Sequence, residues 1–224
     1  MAVAPKLDET VEFAENPEPR CPCVLLLDTS SSMRGAPIEA LNEGLRVFKT
    51  DLMHDALAVK RVEVAVVAFD SDVRVIQDFV TVDHLEMPTL TSQGYTHMGG
   101  AMNRALDMLQ ARKEQYRPHG VAYYRPWVFM ITDGEPQDEP DDVVENAARR
   151  VKEEEAQKRV AFFAVGVENA NMARLAQIVP RTPIKLKGLN FVNMFVWLSA
   201  SMQAVAQSRP EEQLALPPPD WGTV

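Results

Sequence analysis

The sequence predicts an α/β fold: a doubly wound, mostly parallel six-stranded sheet with one antiparallel edge strand and helices on both faces. Two observations predict it. Short apolar runs alternate along the chain with longer segments in which apolar residues recur every three or four positions. The link between residues 69 and 73 is too short for a parallel crossover, which needs about a dozen residues or more, so the strands on either side of it must pair antiparallel.

The strands are predicted from short apolar runs bounded by charged or turn residues. The first contains the unbroken apolar run 24–27 and is typical of a strand buried on both faces. The second is rich in valine, which favours strands. The predicted strands cover residues 22–28, 61–69, 73–80, 126–132, 160–167 and 183–187.

The helices are predicted from apolar stripes with helical spacing. In the first, Pro37 fits the opening turn, and the apolar stripe runs from Ile38 to Leu52. The last carries a stripe from Phe191 to Val205, at steps of four, three, four and three, which indicates core packing. The predicted helices cover residues 37–52, a stretch from Met98 to about Leu109, 141–158, 171–178 and 190–207.

The chain is predicted to form one domain with two extensions. Residues 1–19 form an N-terminal extension, residues 20–208 the domain, and residues 209–224 a proline-rich tail. The tail contains Pro217-Pro218-Pro219 and Trp221. We expect it to lie extended on the surface or to fray, rather than to dock into a partner's groove.

Charge and composition exclude several classes of partner. The 224 residues include 23 Lys and Arg against 32 Asp and Glu, a formal net charge of −9, which disfavours nucleic acid and anionic lipid. The first twenty residues lack the apolar stretch of a signal peptide, and no run is long enough to span a membrane. The expected location is therefore cytoplasmic. Cys21 and Cys23 are expected to be small buried residues of the first strand rather than a disulfide or metal ligands.

Polar oxygen-bearing residues follow two of the predicted strands. Asp28, Ser30 and Ser32 lie in the segment Asp-Thr-Ser-Ser-Ser directly after the first strand, and Asp133 follows the fourth. Ligands of open α/β sheets bind beyond the carboxyl ends of the strands, where the winding reverses. If the first and fourth strands are neighbours, their loops face one crevice, and Thr96, at the entry to the intervening helix, can reach it. Carboxylates and hydroxyls are ligands for Mg²⁺, Mn²⁺ or Ca²⁺ rather than for zinc or copper.

These three segments resemble the metal-ion-dependent adhesion site of von Willebrand factor type A domains, a family with a Rossmann-like α/β fold. The segment DTSSSM resembles the family's Asp-x-Ser-x-Ser motif, GYTHMGGA its threonine loop and ITDGEP its aspartate loop. The resemblance covers about residues 20–205. It implies that Ser30, Ser32 and Thr96 bind the ion directly, that Asp28 and Asp133 bind it directly or through water, and that an acidic side chain of a partner protein completes the coordination.

Within this family, the sequence is similar to small stand-alone bacterial proteins of the TerY/YegL type. The segments YYRPWVFMITDGEP, KRVAFFAVGVE and IKLKGLNF carry the similarity, together with the Pro-Pro-Pro and Trp-Gly ending. The resemblance implies a role in tellurite resistance or chemical stress, alongside a Ser/Thr kinase and a protein phosphatase.

Several site residues have simpler interpretations. The serines, or Thr96, could cap helices without any metal. His97, alone beside the site, is expected to be a loop residue or to limit partner access. The acidic residues 135, 138 and 139 could form a solvated rim or act behind the ligands, and Arg34 could orient an acidic ligand.

An enzymatic alternative is a Mg²⁺-dependent phosphotransferase or phosphatase with Asp28 as the nucleophile. Phosphatases of the haloacid dehalogenase type have a second Asp two residues later, where this chain has Ser30. A glycine-rich dinucleotide loop and a serine–histidine–aspartate arrangement are not evident either. The sequence therefore favours a non-enzymatic binding module.

Overall fold

The computed structural model describes residues 12–210, 212 and 214–223. Its strands form one seven-stranded sheet. In chain order they are β1 (Cys21–Asp28), β2 (Val62–Phe69), β3 (Val73–Thr81), β4 (Trp127–Thr132), β5 (Ala161–Gly166), β6 (Ile184–Leu186) and β7 (Gly222–Thr223). Their order across the sheet is β3-β2-β1-β4-β5-β6-β7.

Helices cover both faces of the sheet, as the alternating sequence pattern predicts. They are α1 (Ala36–Met53), α2 (Ala56–Arg61), α3 (Met98–Tyr116), α4 (Asp141–Ala156), α5 (Met172–Ile178) and α6 (Phe191–Gln207). One core lies under α1, α2 and α6, and a second lies under α3, α4 and α5. None of the helices in the described part of the chain is both long enough and apolar enough to span a membrane.

Strand β1 is buried on both faces because it lies in the middle of the sheet. It pairs in parallel with β2 on one side and β4 on the other. Leu25 and Leu27 enter the first core, whereas Val24 and Leu26 enter the second. The alternation of a strand between two faces therefore explains why its sequence is apolar at every position.

The pairing of β1 with β4 confirms the predicted neighbourhood of the candidate site. Leu27, the residue before Asp28, lies opposite Ile131, two residues before Asp133. The winding direction reverses between these two strands, so their following loops face one crevice at the carboxyl edge of the sheet.

The sheet has the predicted mostly parallel arrangement and one strand more than the six predicted, at its C-terminal side. Residues Gly222–Thr223 form a seventh strand that pairs antiparallel with β6, so both outer strands of the sheet are antiparallel. The tail therefore does not simply lie on the surface or fray. Trp221 is fully buried, its ring lies 5.6 Å from that of Trp197, and the Trp197 indole N–H donates to the Pro217 carbonyl oxygen at 2.9 Å. A two-residue strand is too short to show a periodic pattern in the sequence. Burial of the large Trp221 indole holds this strand in place.

The helix α2 is also absent from the sequence-based prediction. Its six residues are too few to show a helical period. Its signal is the cap Asp55, whose carboxylate accepts from the backbone N–H groups of Leu57 at 2.9 Å and Ala58 at 2.7 Å.

Both cysteines are buried and free, as the sequence predicts. They lie two residues apart on the same face of β1 and enter the same core. Burial raises the pKa of the Cys21 thiol to about 12, with a smaller contribution from the charge of Glu63. A thiol so rarely deprotonated is a poor nucleophile, so these residues serve packing.

Candidate metal centre

Asp28 ends β1 with its side chain fully buried at the carboxyl edge of the sheet. One carboxylate oxygen, Oδ1, accepts from the Ser30 backbone N–H at 2.8 Å. The other, Oδ2, accepts from the Thr132 hydroxyl at 2.6 Å. Neutral donors from two neighbouring strand ends therefore hold this carboxylate in one orientation.

A short chain of oxygen atoms connects the β1 loop to the β4 loop. The Ser30 and Ser32 hydroxyls lie 2.8 Å apart, and the Ser32 hydroxyl donates to Asp133 Oδ1 at 2.8 Å. The helix-capping interpretation of the serines is wrong. Ser30 makes no side-chain cap bond to the short 3-10 turn that follows it, and α1 begins after Gly35. The two hydroxyls instead face the crevice between the strand ends.

Thr96 lies beside the same loop, with its side chain almost completely buried. Its carbonyl oxygen accepts from the Gln137 N–H at 3.0 Å. A Cβ added to Gly134, the residue after Asp133, would lie 3.5 Å from Thr96 Oγ1. The structure thus connects Asp28, Ser30, Ser32 and Asp133 by hydrogen bonds and places the Thr96 hydroxyl next to them. These five residues are called the oxygen cluster below.

Both carboxylates of the oxygen cluster are harder to ionise than ordinary aspartates. Burial raises the pKa of Asp28 to about 6; hydrogen bonds from Ser30 and Thr132 oppose the rise, and the charge of Asp133 adds to it. Burial also raises the pKa of Asp133, with a further contribution from the charge of Glu168. Within the described residues, neither aspartate forms an ion pair with Lys, Arg or His. The acidic pair, with Asp28 buried and Asp133 half-buried, therefore receives no cation from the described residues.

The loop after β4 also binds the N-terminus of α3, and this contact bears on the interpretation of Thr96 as a helix cap. The Glu139 carboxylate accepts from the backbone N–H groups of Gly99 at 2.8 Å and Gly100 at 2.6 Å. A Cβ on Gly99 would approach the Val144 backbone to 2.8 Å, so the close contact requires glycine. Thr96 therefore does not cap α3; Glu139 binds its free amides.

The acidic residues after Asp133 make different contacts. Glu139 binds the start of α3, and Glu135 accepts a hydrogen bond from the Asn171 side chain. Asp138 is exposed and has a positive φ of 56°. A single solvated acidic rim is therefore the wrong description for this group.

Sequence reasoning missed the residues that support the oxygen cluster from β2. Asp70 follows β2 as Asp28 ends β1, and it is likewise almost fully buried. It pairs with Arg74 at 2.6 Å, accepts from the Thr29 hydroxyl at 2.9 Å, and its carbonyl accepts from His97 N–H at 2.9 Å. An acid directly after a valine-rich strand was the available signal. These contacts fix both the serine loop and the threonine loop.

The side-chain contacts of His97 and Arg34, the remaining neighbours of the cluster, indicate no role for either residue. The buried Nε2 of His97 has no hydrogen-bond partner among the described residues. Arg34 is exposed beside the serine loop. A groove of about 430 Å³ borders the cluster and is lined by the serines, Gly94, Gln137 and Tyr95, whose side chain is 54% exposed. An opening of this kind gives a protein partner access to the cluster.

The donor set fits a hard divalent cation. Every candidate ligand is an oxygen, and nowhere in the described residues do three or more His, Cys, Asp or Glu side chains converge as a metal site. The oxygen cluster has only two carboxylates, so its three hydroxyls must supply the other protein ligands to a cation. Such a set suits Mg²⁺, Mn²⁺ or Ca²⁺ and lacks the sulfur and nitrogen that favour zinc.

Comparison with known proteins identifies the family. Residues 23–193, well over half of the chain, match the von Willebrand factor type A domain. No curated protein matches the sequence.

Solved structures share the fold at low sequence identity. A von Willebrand factor type A protein from Catenulispora acidiphila is 17% identical, with a TM-score of 0.63, over 83% of this chain and 43% of that one. The PilB minor pilin from Streptococcus sanguinis is 12% identical, with a TM-score of 0.60, over 84% of this chain and 62% of that one. The corresponding domain of the pili tip protein Mfa5 from Porphyromonas gingivalis is 13% identical, with a TM-score of 0.59, over 88% of this chain and 99% of that domain.

The chain spans less than half of the length of the Catenulispora protein, whereas it covers the isolated Mfa5 domain almost completely. The similarity is thus to a domain that also occurs within longer proteins. The fold, the order of the three loops and the match over residues 23–193 agree. This chain belongs to the von Willebrand factor type A domain family.

Proposed function

We propose that this chain is a non-enzymatic protein-binding module whose oxygen cluster is a metal-ion-dependent adhesion site. Von Willebrand factor type A domains are protein-interaction modules and are often metal-dependent. The observation that carries the proposal is the convergence of two carboxylates and three hydroxyls from three loops, at a site to which the described residues bring no cation.

The oxygen–oxygen distances of the cluster suit a small hard cation. Neighbouring oxygens are 2.8 Å apart, from Ser30 to Ser32 and from Ser32 to Asp133, because hydrogen bonds join them. A cation with metal–oxygen bonds of 2.0–2.1 Å separates neighbouring ligands by about 2.9 Å, so it could replace these hydrogen bonds with little movement of the oxygens.

The charge balance of the cluster explains why a partner's acidic residue would be attracted. Two carboxylates formally neutralise a divalent ion, and the three hydroxyls add no charge. A bound cation would supply a Lewis-acidic position at which a carboxylate can replace water. Without the cation, Asp28 and Asp133 repel an incoming carboxylate.

The geometry disfavours the alternative in which Asp28 is a nucleophile. Both of its carboxylate oxygens accept hydrogen bonds, and the side chain is fully buried. A nucleophile needs an oxygen that a substrate can reach. We therefore propose that the protein has no hydrolytic or phosphotransfer activity.

The similarity to TerY/YegL-type proteins supports a cellular setting for the module. We propose a cytoplasmic protein of a bacterial stress or tellurite-resistance system, with a Ser/Thr kinase and a protein phosphatase as candidate partners. The support is the resemblance of sequence segments alone, in particular those around residues 123–136 and 159–168.

Metal binding can be tested by calorimetry on matched serine variants. We expect wild-type protein to bind one Mg²⁺ or Mn²⁺, Asp28→Ala to abolish binding, and Ser32→Ala to weaken it. Ser31→Ala is the control, because Ser31 lies between the two serine ligands and its backbone, not its hydroxyl, bonds to Gly94. Unchanged Mg²⁺ binding by Asp28→Ala would overturn the site assignment.

Partner recognition is tested by pull-down from cell extract with Mg²⁺ and with EDTA. We expect capture only with Mg²⁺. Thr96→Ala should weaken partner affinity about tenfold to a hundredfold, more than it weakens metal binding, because four other ligands remain. Equal capture by wild type and Thr96→Ala in both buffers would place recognition on another face.

A further inference from the structure

A second cavity lies at the opposite end of the sheet from the oxygen cluster. It has a volume of about 480 Å³ and lies where β4 and β5 begin, between the end of α6 and the tail. Small-molecule sites in proteins have volumes of about 300–1,000 Å³. The cavity, called the aromatic cavity below, shares none of its lining residues with the oxygen cluster.

The inner wall of the aromatic cavity is aromatic and apolar. Trp127, the first residue of β4, and Phe163 of β5 pack with ring centroids 4.9 Å apart, and both are nearly buried. Leu214 and Leu216 of the tail also line the cavity, and Leu214 is 38% exposed. A flat apolar ring could therefore bind between the tail and the sheet.

The rim of the aromatic cavity holds more positive than negative charge. Arg125 and Arg181 share one carboxylate, Glu155, at 2.7 Å each. Lys158 and Glu212 also line the cavity, so among the described residues three cations face two carboxylates. This local excess contrasts with a chain whose net charge is −9.

Several donors on this rim bind none of the residues that the structure describes. Considering only the residues that the structure describes, no hydrogen bond is made by the Lys158 ammonium or by the Nη1 groups of Arg125 and Arg181. The Arg181 guanidinium already lies 4.7 Å from the Phe163 ring centroid, at the border between ring and charge. A cationic donor beside an aromatic ring, with a lysine in the same lining, suits a ligand with a flat ring and an attached anionic group.

We propose that the aromatic cavity binds a small aromatic carboxylate, with one or two fused rings against Trp127 and Phe163 and the carboxylate at Lys158 and Arg181. The ring gains apolar contact, and the carboxylate meets the unused donors. The site is independent of the oxygen cluster and needs no divalent cation.

The proposal is tested by calorimetric titration of the full chain with 2-naphthoate in EDTA, compared with the neutral analogue 2-naphthalenemethanol. We expect naphthoate to bind and the alcohol to bind at least about tenfold more weakly. Lys158→Ala and Arg181→Ala should each weaken naphthoate about tenfold. Glu155 keeps Arg125 as a partner in the second variant, which protects the fold.

Two further variants separate the cavity from general charge effects. Leu214→Trp should fill the cavity from an exposed position and abolish binding, while all charges remain. Arg149→Ala is the control, since it removes one positive charge from an exposed site on α4. Absence of naphthoate binding, equal binding of the alcohol, or an equal loss in Arg149→Ala and Lys158→Ala would each overturn the proposal.

Discussion

Both ends of the parallel sheet bury acidic side chains, but Glu63 at the amino end has cationic partners, whereas Asp28 at the carboxyl end has none among the described residues. At the amino end, Glu63 at the start of β2 is fully buried and accepts from Arg20 at 2.8 Å, from Arg112 at 2.9 Å and from the Tyr116 hydroxyl. At the carboxyl end, Asp28 has only neutral donors.

The pKa values of the two ends follow this difference. Burial alone would lower the pKa of Arg112, but its hydrogen bond and ion pair with Glu63 hold that pKa well above the ordinary value. Burial raises the pKa of Asp28, and no positive group lowers it again. A buried charge with a partner is structural, whereas one without a partner points to a ligand that brings the charge.

The amino end also holds the segment before β1 in place. Arg20 donates to the carbonyl oxygens of Glu18 at 2.6 Å and Asn16 at 2.7 Å while it binds Glu63. The Phe13 ring lies 5.6 Å from the Arg20 guanidinium and 5.1 Å from that of Arg112. This end is a closed network, because nearly every charge has a protein partner.

The largest expected effect is at the amino end. Glu63→Gln should lower the free energy of unfolding by about 3–5 kcal/mol, since two nearly buried arginines lose their common counter-charge. The measurement is urea denaturation of the metal-free protein. Glu43→Gln is the matched control; its exposed pair with Arg46 should contribute about 0.5 kcal/mol or less. A loss below about 1 kcal/mol in Glu63→Gln would mean that the network is not a stabilising unit.

A smaller effect of opposite sign is expected at the carboxyl end. Asp28→Asn should raise the free energy of unfolding of the metal-free protein at pH 8 by up to about 3 kcal/mol, because it removes a buried, unpaired charge. The amide oxygen can still accept from the Ser30 N–H, and the amide NH₂ can donate to the Thr132 hydroxyl. The same variant should lose the stabilisation that Mg²⁺ gives to wild type. Destabilisation of the metal-free variant would contradict the contrast between the two ends.

The pH dependence of the free energy of unfolding, compared between wild type and Asp28→Asn, shows whether Asp28 favours the folded state when it is protonated or when it is charged. The folded pKa of Asp28, about 6, lies above its ordinary value of 3.8. Its protonated form therefore favours the folded state, and that stability is lost as pH rises through about 4 to 6. Metal-free wild type should lose more stability than Asp28→Asn, in which only Asp133 of the pair still titrates, in denaturation curves recorded from pH 4 to pH 8. Identical slopes for both proteins would refute the assignment.

The smallest expected effect is at Asp70, which lies beside the oxygen cluster but has its own cation. Arg74→Gln should cost about 1 kcal/mol at pH 7, because the Arg74 side chain is 35% exposed and its pair is partly screened. Burial opposes ionisation of Asp70, yet hydrogen bonds from Arg74 and others hold its pKa below the ordinary value. This contribution is present above the ordinary pKa and disappears as pH falls, the reverse of Asp28. An effect of Arg74→Gln that is equal at pH 3 and pH 7 would argue against the ion pair.

Local patterns in the sequence predicted most of the sheet and all five members of the oxygen cluster. Apolar runs and helical stripes depend on near neighbours, and they predicted the strands from β1 to β6 and most of the helices. The position of Asp28 and Asp133 at strand ends predicted where they would meet, because parallel strands share one carboxyl edge.

Only the tertiary structure decided which charges find partners and which do not. Arg20, Glu63 and Arg112 are far apart in the chain, so their pairing leaves no local pattern. The same holds for Glu139, whose place at the start of α3 depends on the path of another loop, and for Trp221, which anchors β7 by burial alone. Periodicity is a property of neighbouring residues, whereas ion pairing and the anchoring of a short strand depend on contacts that exist only after the sheet has formed.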